Sequence, residues 1–569
     1  MNNCLKNLKN KYHLLLIILL WSLFHELFFW VNEILKNADS FAYLQMSYHF
    51  KISSLEWVWT WWFWFLYSLL IAIFDVVTFW LNEYYVALYL NIILFWISAV
   101  LLYKIGKYYL EEKYNLLLVI LFYFSPILLS FNITILSENI YIPLFLGLIL
   151  FLIKSWKEWL KKTKNLFYLS LFIALLYFTR AEAFIYLGSI FIVLFFNICG
   201  FIDSGSGPEW QWKKNFIDFL KKSSLVIIFF FLLISPYLLY LHSITWDWWL
   251  TNKWSSNLRQ AELRGSEKMD DEWFEQAVWE LTIDNHHLKA WFVGWLKYEK
   301  WEEKWWLKDY LLANPEDTIS RILWNQIKLY TKNLPELIVW DAIKLYQKSY
   351  LFLPILLIPL LLVMFGIYKM FINKKYEFLI ISFSFFSIAS LFFTLFFVLN
   401  RYFLVFLPLF LVFIVYWLQE IKLSKITKII GTGTLIWIYL LWNYVYYNSV
   451  KAEDDRYEVK KVAWEYIKKL IIPSSKLTNL RVMERFPVVT YYSWTKERWI
   501  TPYTDNLENL IEYAKFNKID YLVVDTLDFK TYRPKLDFLL KDDFENESLH
   551  KIQIFQVNNQ KVILYKFSF

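Results

Sequence analysis

The octapeptide NADSFAYL occupies residues 37–44, directly after an apolar segment at residues 13–31. That segment has about the length that crosses the hydrocarbon core of a bilayer. Lys6, Lys9 and Lys11 precede it, with no acidic residue among them. Because lysines mark the cytoplasmic side of a membrane, this pattern predicts a cytoplasmic N-terminus and places NADSFAYL just outside the membrane.

The composition is that of a polytopic membrane protein. The 569 residues are 58% hydrophobic and 22% aromatic, and many apolar runs are long enough to span a bilayer. The two cysteines, Cys4 and Cys199, fall near predicted cytoplasmic ends, so we expect neither a disulfide framework nor a cysteine metal site. The net charge of +8 arises from lysines in predicted cytoplasmic loops, and no nucleic-acid partner is needed to explain it.

Residues 57–81 decide how many spans the chain has. Their apolar run, 61–74, is short for a span and suits a helix lying in the membrane interface. Counting it as a span would place every later lysine cluster outside, against the usual charge rule. The sequence therefore predicts eleven spans. These are 13–31 and about 84–103, 115–133, 138–153, 165–179, 181–199, 223–242, 350–371, 377–398, 402–418 and 428–447.

Two domains follow from this topology. Residues 1–448 form a predicted all-α polytopic membrane domain, with outer loops at 32–83 and 243–349. Residues 449–569 form a predicted extracytoplasmic α/β domain, because helix-like and strand-like segments alternate there. The helix-like segments are 458–470 and 507–516, and the strand-like ones are 521–524, 552–557 and 562–567.

Ionisable side chains mark the candidate site. Such groups are costly at membrane depth and tend to be functional. Arginines hold phosphate oxygens well, and a carboxylate can accept a proton from an attacking hydroxyl. The combination predicts a site for a lipid-linked phosphate. Its candidates at the outer span ends and in the first outer loop are Asp39, Glu56, Glu138, Arg180, Glu182 and Arg401.

An ordered set of motifs resembles one known class. The set comprises NADSFAYL (37–44), FWFLYSLL (63–70), FSP (124–126), LSEN (136–139), FTRAEA (178–183), and NRY (400–402) followed by Pro408. It is similar to the GT-C class of membrane glycosyltransferases, which includes the protein mannosyltransferases and the lipid A aminoarabinose transferases. The motifs cover nearly the whole membrane part. In the tail, TPYTDN (501–506) and DYLVV (520–524) resemble the extracytoplasmic domain of bacterial members.

The resemblance implies a function and roles for some residues. The enzyme would transfer a sugar from a polyprenyl-phosphate donor to a protein, lipid or glycan acceptor on the extracytoplasmic side. Asp39 matches the catalytic acid of the first loop. Glu56 matches the second carboxylate there, although Trp57-Val58 follow it where the class often has Lys-Pro. Arg180 and Arg401 match arginines that hold the donor phosphate.

The remaining candidates complete the expected donor site. Tyr43, Glu138 and Glu182 are predicted donor-binding residues. No cofactor is expected. His286 and His287 are adjacent and so lack the helical spacing of a metal pair.

Several alternatives stay open. Asp39 or Glu138 could serve as a helix cap, Glu56 could be a solvated loop acid, and the two arginines could extend to the interface for solvation alone. At the level of function, the alternatives are a lipid-linked oligosaccharide polymerase or ligase, a transporter, and a membrane scaffold without activity. A transporter would carry polar groups at mid-span depth, whereas here they gather at one face.

The tryptophan content raises a question about the genetic code. The chain has 32 Trp and 11 Gly, whereas Gly averages about 7% of residues in proteins. One hypothesis is that UGA codons meaning glycine are translated here as tryptophan. The coding DNA decides it, because UGG codons at these positions contradict recoding. No site residue named above is a tryptophan.

Overall fold

The computed structural model describes most of the chain, and its backbone divides into two compact units. The first unit comprises Met1–Trp30, Ala42–Thr251 and Glu316–Tyr447, and the second comprises Val31–Phe41, Asn252–Pro315 and Asn448–Phe569. The described residues are 2–31, 38–51, 65–78, 81, 83–156, 162–199, 209–245, 315–338, 353–396, 398–422, 424–471, 480–485, 488–492, 497–502, 504 and 506–569.

Helices make up most of the described part of the chain as far as residue 471. In chain order they are α1 (Asn2–Val31), α2 (Ala38–Lys51), α3 (Phe65–Val77), α4 (Glu83–Gly106), α5 (Glu112–Tyr123), α6 (Pro126–Asn132), α7 (Glu138–Ser155), α8 (Thr163–Thr179), α9 (Tyr186–Cys199), α10 (Glu209–Thr245), α11 (Pro315–Lys328), α12 (Leu334–Ile338), α13 (Leu353–Ile372), α14 (Tyr376–Thr394), α15 (Asn400–Phe403), α16 (Leu407–Glu420), α17 (Lys425–Arg456) and α18 (Glu458–Ile471).

Six described helical segments are long and apolar enough to cross a membrane, and a bent pair of helices makes a possible seventh. Four shorter apolar helices accompany them, including Leu66–Val77 within the predicted interface segment. The predicted class, a helical membrane part followed by a small sheet, is confirmed, whereas the count of eleven spans stays a prediction. The six segments are Glu83–Gly106, Glu138–Ser155, Ala181–Ile198, Lys213–Leu239, Tyr376–Thr394 and Asn400–Glu420.

The predicted span 115–133 is not one straight helix. It is broken between α5 and α6, whose axes differ by 54°. Pro126 begins α6, and the preceding residue, Ser125, has an extended backbone (φ −65°, ψ 116°). The break follows from Pro126, because a proline lacks a backbone N–H and forces the residue before it out of the helical region.

Helices α13 and α16 pack at very short range. A Cβ atom added to Gly366 of α13 would overlap the carbonyl oxygen of Phe413 in α16. Only glycine permits this approach, because the obstructing atom belongs to the backbone and cannot rotate away.

The second unit contains a five-stranded sheet. Its strands are β1 (Arg481–Glu484), β2 (Glu497–Ile500), β3 (Tyr521–Asp525), β4 (Leu549–Val557) and β5 (Gln560–Phe567). The strand order is β2-β1-β3-β5-β4, with β2, β1 and β3 parallel and the β3–β5 and β5–β4 pairs antiparallel. Short helices α19 (Val488–Tyr492), α20 (Leu507–Phe516) and α21 (Thr526–Tyr532) lie between or after the parallel strands. The predicted helices 458–470 and 507–516 and the three predicted strands are confirmed, whereas β1 and β2 were not foreseen.

Candidate functional site

Four of the predicted site residues lie at helix ends of the first unit. Glu138 is the first residue of α7, and Arg401 lies in the one-turn helix α15. Arg180 follows α8 with an extended backbone (φ −152°, ψ 120°), and Glu182 lies in the 3₁₀ turn after it. Each of these residues stands where a helix begins, ends or breaks, so its side chain is available for contacts between helices.

The four side chains form one ion-pair network. Arg180 Nη1 donates a hydrogen bond of 2.5 Å to Glu138 Oε1. Arg401 Nε lies 3.3 Å from the same oxygen, and Arg180 Nε lies 3.8 Å from Glu182 Oε2. Glu138, Arg180 and Glu182 are buried, whereas 26% of the Arg401 side chain is exposed. Glu138 is therefore the carboxylate that joins the two arginines, rather than a helix cap.

Two tyrosine rings enclose the arginines. The guanidinium carbon of Arg180 lies 5.2 Å from the centroid of the Tyr402 ring and 5.9 Å from that of Tyr141. Arg401 lies 6.0 Å from the Tyr402 ring. A cation is attracted to the face of an aromatic ring at such distances, so the rings help to hold both side chains. Neither ring was predicted to belong to the site, although Tyr402 belongs to the NRY motif.

Arg180 retains unused hydrogen-bonding capacity. Its Nη2 atom is buried and makes no hydrogen bond within the described residues. A guanidinium carries more N–H donors than one carboxylate can accept, and a buried donor without an acceptor is unfavourable. An anionic ligand with several oxygen atoms, such as a phosphate, would satisfy this donor.

A chain of amide side chains supports the loop that carries Glu138. The hydroxyl of Tyr67 in α3 donates to Asn91 Oδ1 of α4 at 2.5 Å. Asn91 Nδ2 in turn donates to the carbonyl oxygens of Asn132 (2.9 Å) and Thr134 (3.0 Å). These bonds attach α3 and α4 to the turn between α6 and α7.

Asn139 completes this support. Its Oδ1 accepts from Asn132 Nδ2 at 3.2 Å, and its Nδ2 donates to the carbonyl oxygens of Phe131, Thr134 and Leu136 at 2.9–3.1 Å. These side chains donate hydrogen bonds to backbone carbonyl oxygens that the end of one helix and the turn before the next would otherwise leave without a partner. Glu138, next to Asn139, is held in place by this network.

Helix α2 carries two of the first-loop candidates, Asp39 and Tyr43. Asp39 lies in its first turn and is partly exposed. One turn later, the buried Tyr43 ring meets the Tyr67 ring edge-on, with centroids 5.1 Å apart. Through Tyr67, Tyr43 is linked to the amide chain that supports Glu138. Glu56 lies outside the described residues.

An ion triad fixes the other end of α2. Lys51 Nζ contacts Asp75 Oδ2 of α3 at 2.6 Å and also contacts Glu83 of α4. All three side chains are less than a quarter exposed, so solvent screens these pairs less than it would on an open surface. Helix α2 is thereby held to both of its neighbours.

The second unit contains a separate buried charge cluster. Lys460 Nζ lies 2.6 Å from Asp528 Oδ2 and 3.4 Å from Asp525 Oδ2. Nearby, the carboxylate of Glu484 accepts the backbone N–H of Val489 at 2.9 Å. Burial, followed by repulsion from Asp528, raises the pKa of Asp525 to about 7. Burial likewise raises the pKa of Glu484 well above its usual range.

This cluster predicts a pH-dependent stability. A carboxyl whose pKa is raised by folding stabilises the folded state at low pH, and that stability is lost as the pH rises through about 7. We expect amides of β3 and β5 in the full chain to exchange with solvent more readily at pH 8 than at pH 5, after correction for intrinsic rates. The slope should not exceed about 1.4 kcal/mol per pH unit for each proton.

Two matched variants test whether Asp525 causes the pH dependence of the stability. Asp525→Asn should flatten the pH dependence, while its side chain can still cap α21 by accepting from the Asp528 N–H. Asp537→Asn, at an exposed position, should leave it unchanged. An undiminished slope in Asp525→Asn would show that other groups titrate.

The described residues contain no group of three or more His, Cys, Asp or Glu side chains that could hold a metal ion. The expectation that the protein needs no metal stays a prediction.

Comparison with known proteins identifies the fold. No family model matches the chain, and no curated protein matches it by sequence. Among solved structures, ArnT from Cupriavidus metallidurans, bound to undecaprenyl phosphate, is similar over 96% of this chain and 97% of its own, with a TM-score of 0.51 and 8% identity. The archaeal oligosaccharyltransferase AglB from Archaeoglobus fulgidus, in complex with an inhibitory peptide and a dolichol-phosphate, is similar over 91% and 70%, with a TM-score of 0.50 and 9% identity.

Both solved structures are GT-C glycosyltransferases. The resemblance inferred from the motifs is therefore confirmed at the level of the fold: the chain has the fold of GT-C membrane glycosyltransferases. At this level of identity the likeness concerns architecture, and the roles of individual residues remain predictions.

Proposed function

We propose that the protein is an integral-membrane glycosyltransferase that uses a polyprenyl-phosphate sugar as donor. The observation that carries this proposal is the pair of arginines joined by Glu138, with a buried guanidinium nitrogen of Arg180 left for a further acceptor. A phosphate offers oxygen atoms in the geometry that arginine favours. The GT-C fold supports the same class, since the similar ArnT structure is bound to undecaprenyl phosphate.

The proposed reaction is a displacement at the anomeric carbon with inversion. Asp39 accepts the proton of an acceptor hydroxyl or amine. The freed electron pair forms a bond to the anomeric carbon, and the bond from that carbon to the phosphate oxygen breaks. Polyprenyl phosphate leaves with the electron pair, and Arg180 and Arg401 stabilise its added negative charge. Glu138, Glu182 and Tyr43 hold these groups in place, and Glu56 is the second candidate base.

The reaction would take place on the extracytoplasmic side. The lysine-rich loops predict a cytoplasmic N-terminus, which puts the start of α2 and the second unit outside. A protein, lipid or glycan acceptor would then approach from outside the cell membrane. Residues 1–448 would form the catalytic membrane domain, and residues 449–569 would form an extracytoplasmic domain.

A transfer assay tests the proposal. Membranes that contain the full chain would receive a panel of radiolabelled polyprenyl-phosphate sugars, and label that reaches an acceptor would be counted against membranes without the chain. We expect transfer from one donor of the panel. Absence of transfer from every lipid-linked sugar would contradict the proposed class.

The likeness to AglB favours one alternative, a transferase or ligase whose lipid donor carries an oligosaccharide. Chain-length analysis of the product separates the two possibilities. A single added sugar supports the monosaccharide donor, whereas a preassembled chain supports the alternative.

Arg401 gives a prediction about donor binding. Arg401→Gln should lower kcat/KM for the donor by roughly 10- to 100-fold, because a hydrogen bond to a charged group is worth about 1.5–3 kcal/mol and this side chain is partly exposed. Steady-state transfer rates at varied donor concentration measure the effect. Arg321→Gln, which removes the same charge from α11, should keep the wild-type value. Equal kinetics for Arg401→Gln and the wild type would remove Arg401 from the donor site.

A further inference from the structure

Helix α11 exposes a row of apolar side chains and buries the polar side chains of Thr318 and Asn325. Ile319, Leu323, Ile327 and Tyr330 follow one another at spacings of four, four and three residues, which places them on one helical face. They are 59%, 59%, 54% and 43% exposed. Polar residues point inward instead, with Asn325 only 8% exposed.

The inward face is attached to the end of a candidate membrane span. Asn325 Nδ2 donates to the carbonyl oxygens of Thr394 (2.9 Å) and Phe396 (3.3 Å) at the C-terminal end of α14. Gln326 Nε2 donates to Thr394 Oγ1 at 3.2 Å, and Gln326 Oε1 accepts from Ser390 Oγ at 3.1 Å. Helix α11 therefore lies where a segment that crosses the membrane reaches its boundary.

From these two observations we infer that an exposed apolar surface lies in the bilayer interface and contacts lipid acyl chains. It is formed by Ile319, Leu323 and Ile327 of α11 and by Tyr330 of the π-helical turn that follows. The lipid-facing surface of α14 continues towards it, because Leu391, in the last turn of that span, is 58% exposed. A helix with one strongly apolar face and a polar opposite face is typical of such a position. Trp324 is left out of this face, because its identity depends on whether UGA codons for glycine are translated here as tryptophan.

The segment after α11 connects this surface to the arginine site. A π-helical turn, Leu329–Asn333, leads from α11 into α12. Asn333 Nδ2 donates to Asn400 Oδ1 at 2.5 Å, and Asn400 Nδ2 donates to Glu336 Oε2 at 2.6 Å. Asn400 precedes Arg401, so the segment that follows α11 also holds the turn that carries a proposed donor-site arginine.

Spin labelling tests the inference without any measurement of transfer. Single cysteines would be introduced by Ile319→Cys, Leu323→Cys and Ile327→Cys into the full chain, with Cys4→Ser and Cys199→Ser in the background. Lys328→Cys, an exposed position of the same helix that lies on a different helical face from the three test positions, is the matched control. Each nitroxide-labelled protein would be placed in phospholipid nanodiscs, and its collision rates with oxygen and with a water-soluble nickel chelate would be measured.

We expect the ratio of oxygen to nickel collisions to be several-fold higher at 319, 323 and 327 than at 328, because oxygen concentrates in lipid and the chelate stays in water. Equal nickel access at all four positions would overturn the inference, since the face would then be in water. Labels at 319, 323 and 327 that neither reagent reaches would also overturn it, because protein would cover the face. An oxygen signal that falls when polyprenyl phosphate is added would assign the face to the donor chain instead of the bilayer.

Discussion

Replacing Asp39 by asparagine is expected to abolish sugar transfer while the chain remains folded. A neutral amide at this position could no longer accept a proton from the acceptor, and loss of general base catalysis costs about 10²- to 10⁴-fold in rate. The assay is transfer of radiolabelled sugar by membranes with equal amounts of wild-type and variant protein. This is the largest effect on activity that we expect from a single isosteric change.

The same substitution separates catalysis from helix capping. Asparagine is about as good a helix cap as aspartate, so a capping role for Asp39 predicts almost no effect of Asp39→Asn. Glu508→Gln is the matched control, because Glu508 is an exposed acid in the first turn of α20. Full transfer by Asp39→Asn would move the chemistry to another residue, with Glu56 as the next candidate.

The largest effect on stability is expected from Gly366→Ala. The new Cβ atom would overlap the carbonyl oxygen of Phe413, so α13 and α16 could keep their geometry only by moving apart. Overpacking of this kind costs typically about 1–3 kcal/mol, and a backbone obstacle places the expected loss near the upper end. The measurement is the apparent melting temperature of the full chain in detergent.

Gly433→Ala is the control for helix propensity. A Cβ atom added to Gly433 in α17 meets no atom of the described structure within 4 Å. Alanine favours helix over glycine by up to about 1 kcal/mol, so this variant should be neutral or slightly stabilised. A Gly366→Ala protein that melts no lower than Gly433→Ala would show that the two helices can separate at little cost.

Properties that depend on local pattern could be predicted from the sequence. The helix-like segments 458–470 and 507–516 predicted α18 and α20, and the strand-like segments 521–524, 552–557 and 562–567 predicted β3, β4 and β5. The strands β1 (RVME) and β2 (ERWI) have four residues each, two of them charged, so neither contains an apolar run that indicates a strand. The break before Pro126 was also missed, because apolar residues continue on both sides of it.

The sequence predicted which residues belong to the candidate site better than it predicted the contacts between them. The cost of charge at membrane depth selected Glu138, Arg180, Glu182 and Arg401, and the structure brings all four together. The sharing of Glu138 by both arginines depends on how distant helix ends meet, which no spacing along the chain reveals. The support from Asn91, Asn132 and Asn139 could not be predicted for the same reason, since their side chains meet only in the folded protein.

The carbonyl groups between α6 and α7 have a consequence for how the protein is made. Their hydrogen-bond donors are side chains of Asn139, at the start of the following helix, and of Asn91, in an earlier helix. Lipid offers no replacement for such donors. During synthesis, a ribosome-bound chain that released α5 and α6 into the bilayer before α7 emerged would leave the carbonyl groups that accept from Asn139 without this donor. Insertion of α4 to α7 as one unit avoids that state.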